Sequence, residues 1–416
     1  MKTNLTVKDT LFSINGNLTY SEIPNCPKEY HGLLMNSRMI QGVFDDKANS
    51  SRFNRFGKIF NAENNTNELI SALQQWYDSG LRAITVGFQG GGPCFTIDNY
   101  TIENNPYSSD GKTIDSAYLA RMKKILTVAD DIGMIVIVSL FYGSQSRFFS
   151  DDLAIMHAVK TASNWLRDEK FTNVIIEIAN EHDVPCFKRN PVVYNECEVV
   201  SLMEIARRES GGMPVGCSGM GGTFHKEIIC ASDVVLIHGN SLTRQYFYNL
   251  IQKVKSVKPN TPIVCNEDSQ AISNMTVAMR EGVSWGYYNN MTKQEPPVYW
   301  DITKGEDEFF ACRMALMLGI KKDVPALEHQ FYLQGFEPHM TYEHKRWIRL
   351  ASLYPEHIDY VEFYRDDKLF ATAYDDPFTI NNVWNWKQEA VMDILPTEKW
   401  QAIVHLLDGT IVTKAN

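Results

Sequence analysis

Short apolar runs recur along the middle of the chain, and between them the apolar positions fall three to four residues apart. The runs lie at residues 33–39, 83–88, 134–141, 174–179, 213–217, 234–238, 263–266 and 283–287. They are rich in β-branched residues and mostly lack polar alternation, the composition of strands buried on both faces and therefore parallel. Helices are predicted between them. Thr66 reads as the N-cap of a helix through Trp76 that stops at Gly80, and Asp115 as the cap of a helix over 118–131 that stops at Gly133. Further helices are predicted over 151–169, 196–208, 241–256, 270–282 and 306–318.

Eight strands alternating with helices predict the α/β class and, within it, a (β/α)8 TIM barrel over residues 31–320. A doubly wound open sheet would carry a glycine-rich phosphate loop after its first strand. Gly90-Gly91-Gly92 follows the second strand and lacks that spacing. Residues 1–30 read as a lead-in hairpin around an Asn15-Gly16 turn, placed to plug the barrel floor. After residue 320 the period changes to two. The turns Asp366-Asp367 and Asp408-Gly409 separate alternating stretches, so residues 321–416 read as a small C-terminal β-sandwich domain. Packing against the barrel is its simpler role; sugar binding is the other.

Composition removes several function classes. The net charge of −10 and the pI near 5.5 leave no basic surface for nucleic acid or an anionic membrane. No apolar run is long enough for membrane insertion. Met1–Leu5 lack the apolar core of a signal peptide, so a cytoplasmic protein, or one whose leader has been removed, is expected. The eight cysteines show no metal-type spacing. Cys217, Cys230 and Cys265 read as buried thiols, and Cys186 and Cys197 flank one loop where a disulfide is open.

Chemistry in such a barrel sits at the C-terminal strand ends. Those ends offer Arg38, Gln41 and Asp45 from the first strand, Gln89 from the second and Tyr142 from the third. The fourth offers Asn180 and Glu181, the sixth His238 and Asn240, the seventh Glu267, and the eighth Trp285 and Tyr287. Without His-x-His on the first strand, a strand-end lysine or a Gly-x-Ser-x-Gly elbow, the set does not suit a binuclear metal hydrolase, a Schiff-base aldolase or an acyl hydrolase. Two strands ending in Asn-Glu, at 180–181 and 266–267, suit a hydrolase that works with two carboxylates.

With Asn180-Glu181 ending the fourth strand, Glu267 the seventh and an aromatic the eighth, the chain resembles the clan A glycoside hydrolases. It also resembles a bacterial cellulase-like subgroup of them through 36–46 and 236–240. The resemblance implies a retaining enzyme that cleaves a β-glycosidic bond by double displacement, with Glu181 as acid/base and Glu267 as nucleophile. Asn180 would bind the sugar 2-hydroxyl, Arg38 would hold Glu267 ionised, His238 would orient Glu267 or touch the sugar, and Trp285 would be the stacking floor. Gln89, Tyr142, Asn240 and Tyr287 complete the expected substrate-binding set by position. The partner implied is an oligosaccharide, polysaccharide or glycoside, with no metal or organic cofactor. A catalytically inactive carbohydrate-binding barrel is the alternative. His182 departs from the pattern, since the clan often has proline after its acid/base glutamate. Glu177 is expected to be a structural carboxylate paired with a cation such as Arg38; Glu196, Asp268 and Glu295 read as solvated loop positions or caps. Loops 90–114, 183–195 and 287–304 are expected to wall the cleft, with Phe95, Tyr107 and Trp300 as outer sugar contacts.

Overall fold

The protein is described here by a computed structural model, in residues 1–240, 242–380, 392–393, 395 and 397–416. The predicted parallel strands form at Asn36–Arg38, Ala83–Gly87, Ile135–Tyr142, Val174–Asn180, Val215–Gly216, Val235–His238, Ile263–Glu267 and Gly286–Tyr287. The eighth pairs with the first (Gly286 with Asn36), and pairing then runs unbroken to the fifth. The sixth and seventh form a parallel pair, joined to the eighth by a bridge between Val264 and Ser284. At the remaining junction Asp233 N–H donates to Val215 O. Gly216 is required there: a Cβ at that position would lie 2.4 Å from Val234 O.

Helices cover the outside. Ala62–Asp78, Ser116–Ile132, Asp152–Asp168, Glu196–Glu209, Arg244–Val257, Ser273–Arg280 and Glu306–Met317 bury their apolar stripes in one large core with the outward strand residues. Asp115 caps its helix through Ala117 N–H, and Gly133 ends it at φ +90°. Thr66 is not a cap: Asn61 caps that helix through Asn64 N–H, and the buried Thr66 hydroxyl donates to Gly42 O. The helix expected to start at Ser241 starts at Arg244 and is capped by Thr243; Ser241 lies outside the described residues.

The N-terminal strands Leu5–Lys8, Leu11–Ile14 and Asn17–Leu18 make an antiparallel sheet. Phe12 packs with Ala83, Ile135, Ile175, Val234 and Val264, residues at the N-terminal ends of barrel strands, and Leu5, Val7 and Ile14 support it. The sheet therefore closes the floor of the barrel, leaving only the other end for a ligand.

Beyond the barrel, Ile358–Arg365, Lys368–Ala373, Trp400–Leu406 and Ile411–Ala415 form one antiparallel sheet. Phe331–Gln334, Arg349–Ser352 and Phe378–Thr379 form another. A separate apolar cluster unites them, with Leu333, Leu350, Val361, Phe363, Trp400 and Val404 among its members. Two cysteine expectations need revision. Cys230 is exposed, and Cys186 and Cys197 are free thiols, with Cys186 Sγ 2.7 Å from the Tyr100 hydroxyl.

Candidate active site

Each key side chain is placed by a strand end. The fourth strand pairs through Asn180 with Tyr142, and Glu181 follows as the chain leaves the sheet. Glu181 has φ +52°, a left-handed conformation uncommon for a side-chain-bearing residue, and its N–H donates to Ser218 Oγ. Such backbone strain clusters at functional sites. On the seventh strand the register slips, so that Cys265 pairs with Ile237 and Glu267 with His238. That bulge turns both Asn266 and Glu267 into the barrel, where a regular strand would send one of them outward. Asn266 donates to Glu177 inside, and Glu267 faces the mouth.

The two carboxylates meet there. One ligand atom from each of Glu181, His238 and Glu267 lies within 4.8 Å of the others. Arg38 Nε lies 2.7 Å from Glu267 Oε2, and Asn240 Nδ2 donates to Glu267 Oε1 at 2.7 Å. The Arg38 guanidinium also donates to Asn180 Oδ1 at 2.7 Å. His238 Nδ1 sits 3.1 Å from Glu181 Oε1 and 3.8 Å from Glu267 Oε2. Gly239 admits this packing, since a Cβ on it would run into the Asp268 carboxylate.

The surroundings treat these groups differently. Burial pushes the Glu181 carboxyl up from its ordinary value, with the Glu267 charge adding to the rise and the His238 contact opposing it. Burial works against charge on His238, but the two carboxylates outweigh it and raise that imidazole. Arg38 is likewise buried, yet Glu267 and Glu177 keep it firmly charged. The result is one carboxyl biased towards holding a proton and another clamped by a fixed cation and an amide donor.

These groups line a cavity of about 310 Å³, with Tyr142, Asn180, Thr223, Tyr288, Asn290 and Gln294 among its walls. A larger groove of about 1140 Å³ lies between helix Arg244–Val257 and the sandwich, lined by Tyr248 and Tyr374 among others, and none of the strand-end side chains reaches it. Of the two, the smaller cavity is the one lined by the strand-end carboxylates.

Arg38, Tyr142, Asn180, Glu181, Asn240 and Glu267 thus converge on one cavity, with His238 buried behind the two carboxylates. Three expected substrate contacts do not. Trp285 is fully buried, and its indole N–H donates to Asp268 at 2.8 Å. Tyr287 is also fully buried, stacks on Phe310 at 4.4 Å and donates to Asp307. Both occupy the outward parity of the eighth strand; inward come Ser284, Gly286 and then Tyr288, the aromatic that does line the cavity. Gln89 accepts from Tyr142 N–H and donates to Asn105, so it holds the third strand end from behind.

Other expectations change for the same reason of burial. Glu177 pairs with Ser218 and Asn266 rather than with Arg38. Asp268 is buried and pushed up to about 7 by that burial. Glu295 is buried, accepting from the Cys94 and Phe95 N–H groups and from Arg55. Tyr107 and Trp300 belong to the core, and Phe95 packs on Trp347. The residues missed from the sequence, Tyr288, Gln294 and Thr223 from loops and Asn290 from the short helix Asn290–Lys293, carry little signal; only Tyr288 had one, its inward parity.

No protein-family model matches the sequence, and no curated protein sequence matches it. Solved structures match the fold. One is a glycoside hydrolase family 5 protein from Bacteroides vulgatus, at 13% identity over 96% of this chain and 93% of that one, with a TM-score of 0.51. A second Bacteroides vulgatus protein, described as a candidate glycoside hydrolase, matches at 10% identity over 99% and 80%, with a TM-score of 0.52. A β-glucuronidase from Parabacteroides merdae aligns at 11% identity and a TM-score of 0.44, and this chain spans 50% of its length. At these identities the likeness establishes the fold.

Proposed function

We propose that the protein is a retaining glycoside hydrolase that cleaves a β-glycosidic bond, with Glu181 as acid/base and Glu267 as nucleophile. The observation that carries this reading is the meeting of the two carboxylates, within 4.8 Å at their facing atoms, on the wall of one sugar-sized cavity. Retaining enzymes hold their carboxyl groups about 5–5.5 Å apart, close enough for one to attack the anomeric carbon while the other serves the leaving oxygen.

The chemistry follows from the surroundings of each group. Glu181, biased towards its neutral form by burial, donates its proton to the glycosidic oxygen as the bond to the aglycone breaks. Glu267, held by Arg38 and Asn240, attacks the anomeric carbon and forms a glycosyl ester. Esterification removes the Glu267 charge, which lowers the proton affinity of Glu181. Glu181 then takes a proton from water, and the hydroxide attacks the ester to give a product of unchanged anomeric configuration. Asn180, oriented by Arg38, is the donor available to the 2-hydroxyl. Tyr288 takes the wall position that a sugar ring needs for stacking.

The family 5 protein and its Bacteroides relative support the reading as analogy, since that barrel often carries this chemistry. The test is a panel of aryl β-glycosides offered to the wild type, Glu181→Ala and Glu267→Ala. Wild-type turnover, lost in both variants, with azide restoring the Glu267→Ala reaction as an α-glycosyl azide, is the expected result. Unchanged turnover in both variants overturns the mechanism; binding of glycans without any turnover makes the protein a carbohydrate-binding barrel.

A further inference from the structure

Directly behind Glu181, on the next two residues, lies a second cluster that the hydrolytic reading does not use. One ligand atom from each of His182, Asp183 and His225 lies within 4.8 Å of the others, and the two imidazoles meet edge to face at 4.4 Å between centroids. We propose that these three side chains bind one divalent transition-metal ion of the zinc class. The ion would staple the loop after the fourth strand to the loop after the fifth.

The supporting contacts around the cluster are those of a ligand set. A metal-binding histidine as a rule donates its other ring N–H to a carbonyl or carboxylate, which fixes the tautomer and aims the free lone pair. His182 Nδ1 lies 3.3 Å from Val193 O, and His225 Nδ1 lies 2.9 Å from Glu196 Oε1. His182 Nε2 is thereby left as a bare lone pair on a side chain that is 1% exposed, with no hydrogen-bond partner among the described residues. An unpartnered buried nitrogen is costly unless something fills the position it faces. Asp183 is oriented in the same way: Met220 N–H donates to its Oδ1, and Oδ2 points at His225 Nε2, 2.9 Å away.

Two histidines and one carboxylate, with a fourth position left for water, match the donor set zinc takes. Zinc bonds of about 2.0–2.2 Å place tetrahedral ligands roughly 3.4 Å apart, so binding opens the 2.9 Å contact between Asp183 and His225 slightly and draws His182 in from within 4.8 Å. Binding displaces the proton shared between His225 Nε2 and Asp183 Oδ2, which leaves to solvent, while Glu196 keeps its hydrogen bond to Nδ1. The site lies outside the catalytic cavity, so the metal is a positioning element for Glu181 and takes no part in bond cleavage. The inference stands apart from the glycosidase reading, because metal binding is read without a substrate.

The test uses chelator-stripped full-length protein titrated with Co²⁺ as a spectroscopic probe and with Zn²⁺ alone, followed by thermal unfolding. One equivalent of Co²⁺ giving visible ligand-field bands, and a Zn²⁺-dependent rise in Tm of the wild type, are expected. Both should be lost in His225→Gln and weakened at least tenfold in Glu196→Gln, which keeps all three ligands but loosens the His225 support. Circular dichroism of each variant distinguishes lost binding from lost folding. A wild type that takes up neither ion, or binding that survives in folded His225→Gln, overturns the proposal.

Discussion

Among the described residues, two buried charged constellations lie on either side of the eighth strand, and they differ in how fully their acceptors are filled. At the mouth, Arg38, Glu267 and Glu181 face a cavity, with His238 buried behind the carboxylates. Outside the strand, Lys293, Asp307, Arg349 and Glu306 join the strand-eight loop to helix Glu306–Met317 and to the sandwich. In the second set Asp307 is fully served: Lys293 at 2.8 Å and the Thr303 hydroxyl hold Oδ2, while Tyr287 and Asn289 hold Oδ1. Arg349 reaches from the sandwich to Asn289, the cap of helix Asn290–Lys293, and that helix presents Asn290 to the cavity. In the first set Glu181 has, among the described residues, His238 alone on its carboxylate. A network with every acceptor filled holds parts together; one with acceptors left facing a cavity is set up for a ligand.

That contrast predicts which variants lose turnover and which lose stability. The largest effect is expected at the open set: Glu267→Ala should lower kcat by about 10⁴-fold, and Glu181→Ala, at the less buried carboxylate, by about 10²–10⁴-fold with little change in the unfolding midpoint, measured on an activated aryl glycoside. Next comes the closed set. Lys293→Met strands the buried Asp307 charge and should cost about 3–5 kcal/mol in urea unfolding. A large kcat loss from Lys293→Met without a stability loss would erase the distinction between the two sets. The neighbouring aromatics sharpen it: Trp285→Ala should destabilise by about 3–5 kcal/mol as a core deletion. Tyr288→Ala, at a side chain only 1% exposed but bordering the cavity, should show both effects: a KM raised by roughly tenfold, as one lost sugar contact of about 1–1.5 kcal/mol, together with a loss of stability.

A last effect appears only in acid. His339, buried beside the closed set, has its imidazole pushed down to about 4 by that burial. Its folded pKa lies below its unfolded value, so the unfolded chain binds the proton first. The stability His339 contributes is intact above the ordinary histidine range near 6.5 and is lost as pH falls towards about 4. The slope should reach on the order of 1 kcal/mol per pH unit and vanish in His339→Gln, followed by urea unfolding between pH 7 and 4.

How far the sequence could be read follows from the same contrast. The barrel was legible because apolar runs and helical periods repeat, and a repeated pattern averages out local ambiguity. That Glu181 and Glu267 would meet at one cavity was foreseeable from their places at the ends of two buried strands. Trp285 was misread because side-chain direction at a strand end depends on parity, and a one-residue slip exchanges core for cavity. The bulge that turns Glu267 inward has no sequence signature. The histidine cluster was hidden for another reason: His225 is far along the chain from His182 and Asp183, and only the fold brings the two loops together. Its one trace was His182 itself, directly after the strand-end Asn180-Glu181.

The most direct test of the account is covalent trapping. Wild-type protein is incubated with a series of 2-deoxy-2-fluoro-β-glycosides bearing a good leaving group, then digested and mapped by mass spectrometry. One added glycosyl mass on the peptide containing Glu267, absent in Glu267→Gln, is the expected result. A label on any other residue, or hydrolysis of the matching natural glycoside with inversion at the anomeric carbon, would contradict it.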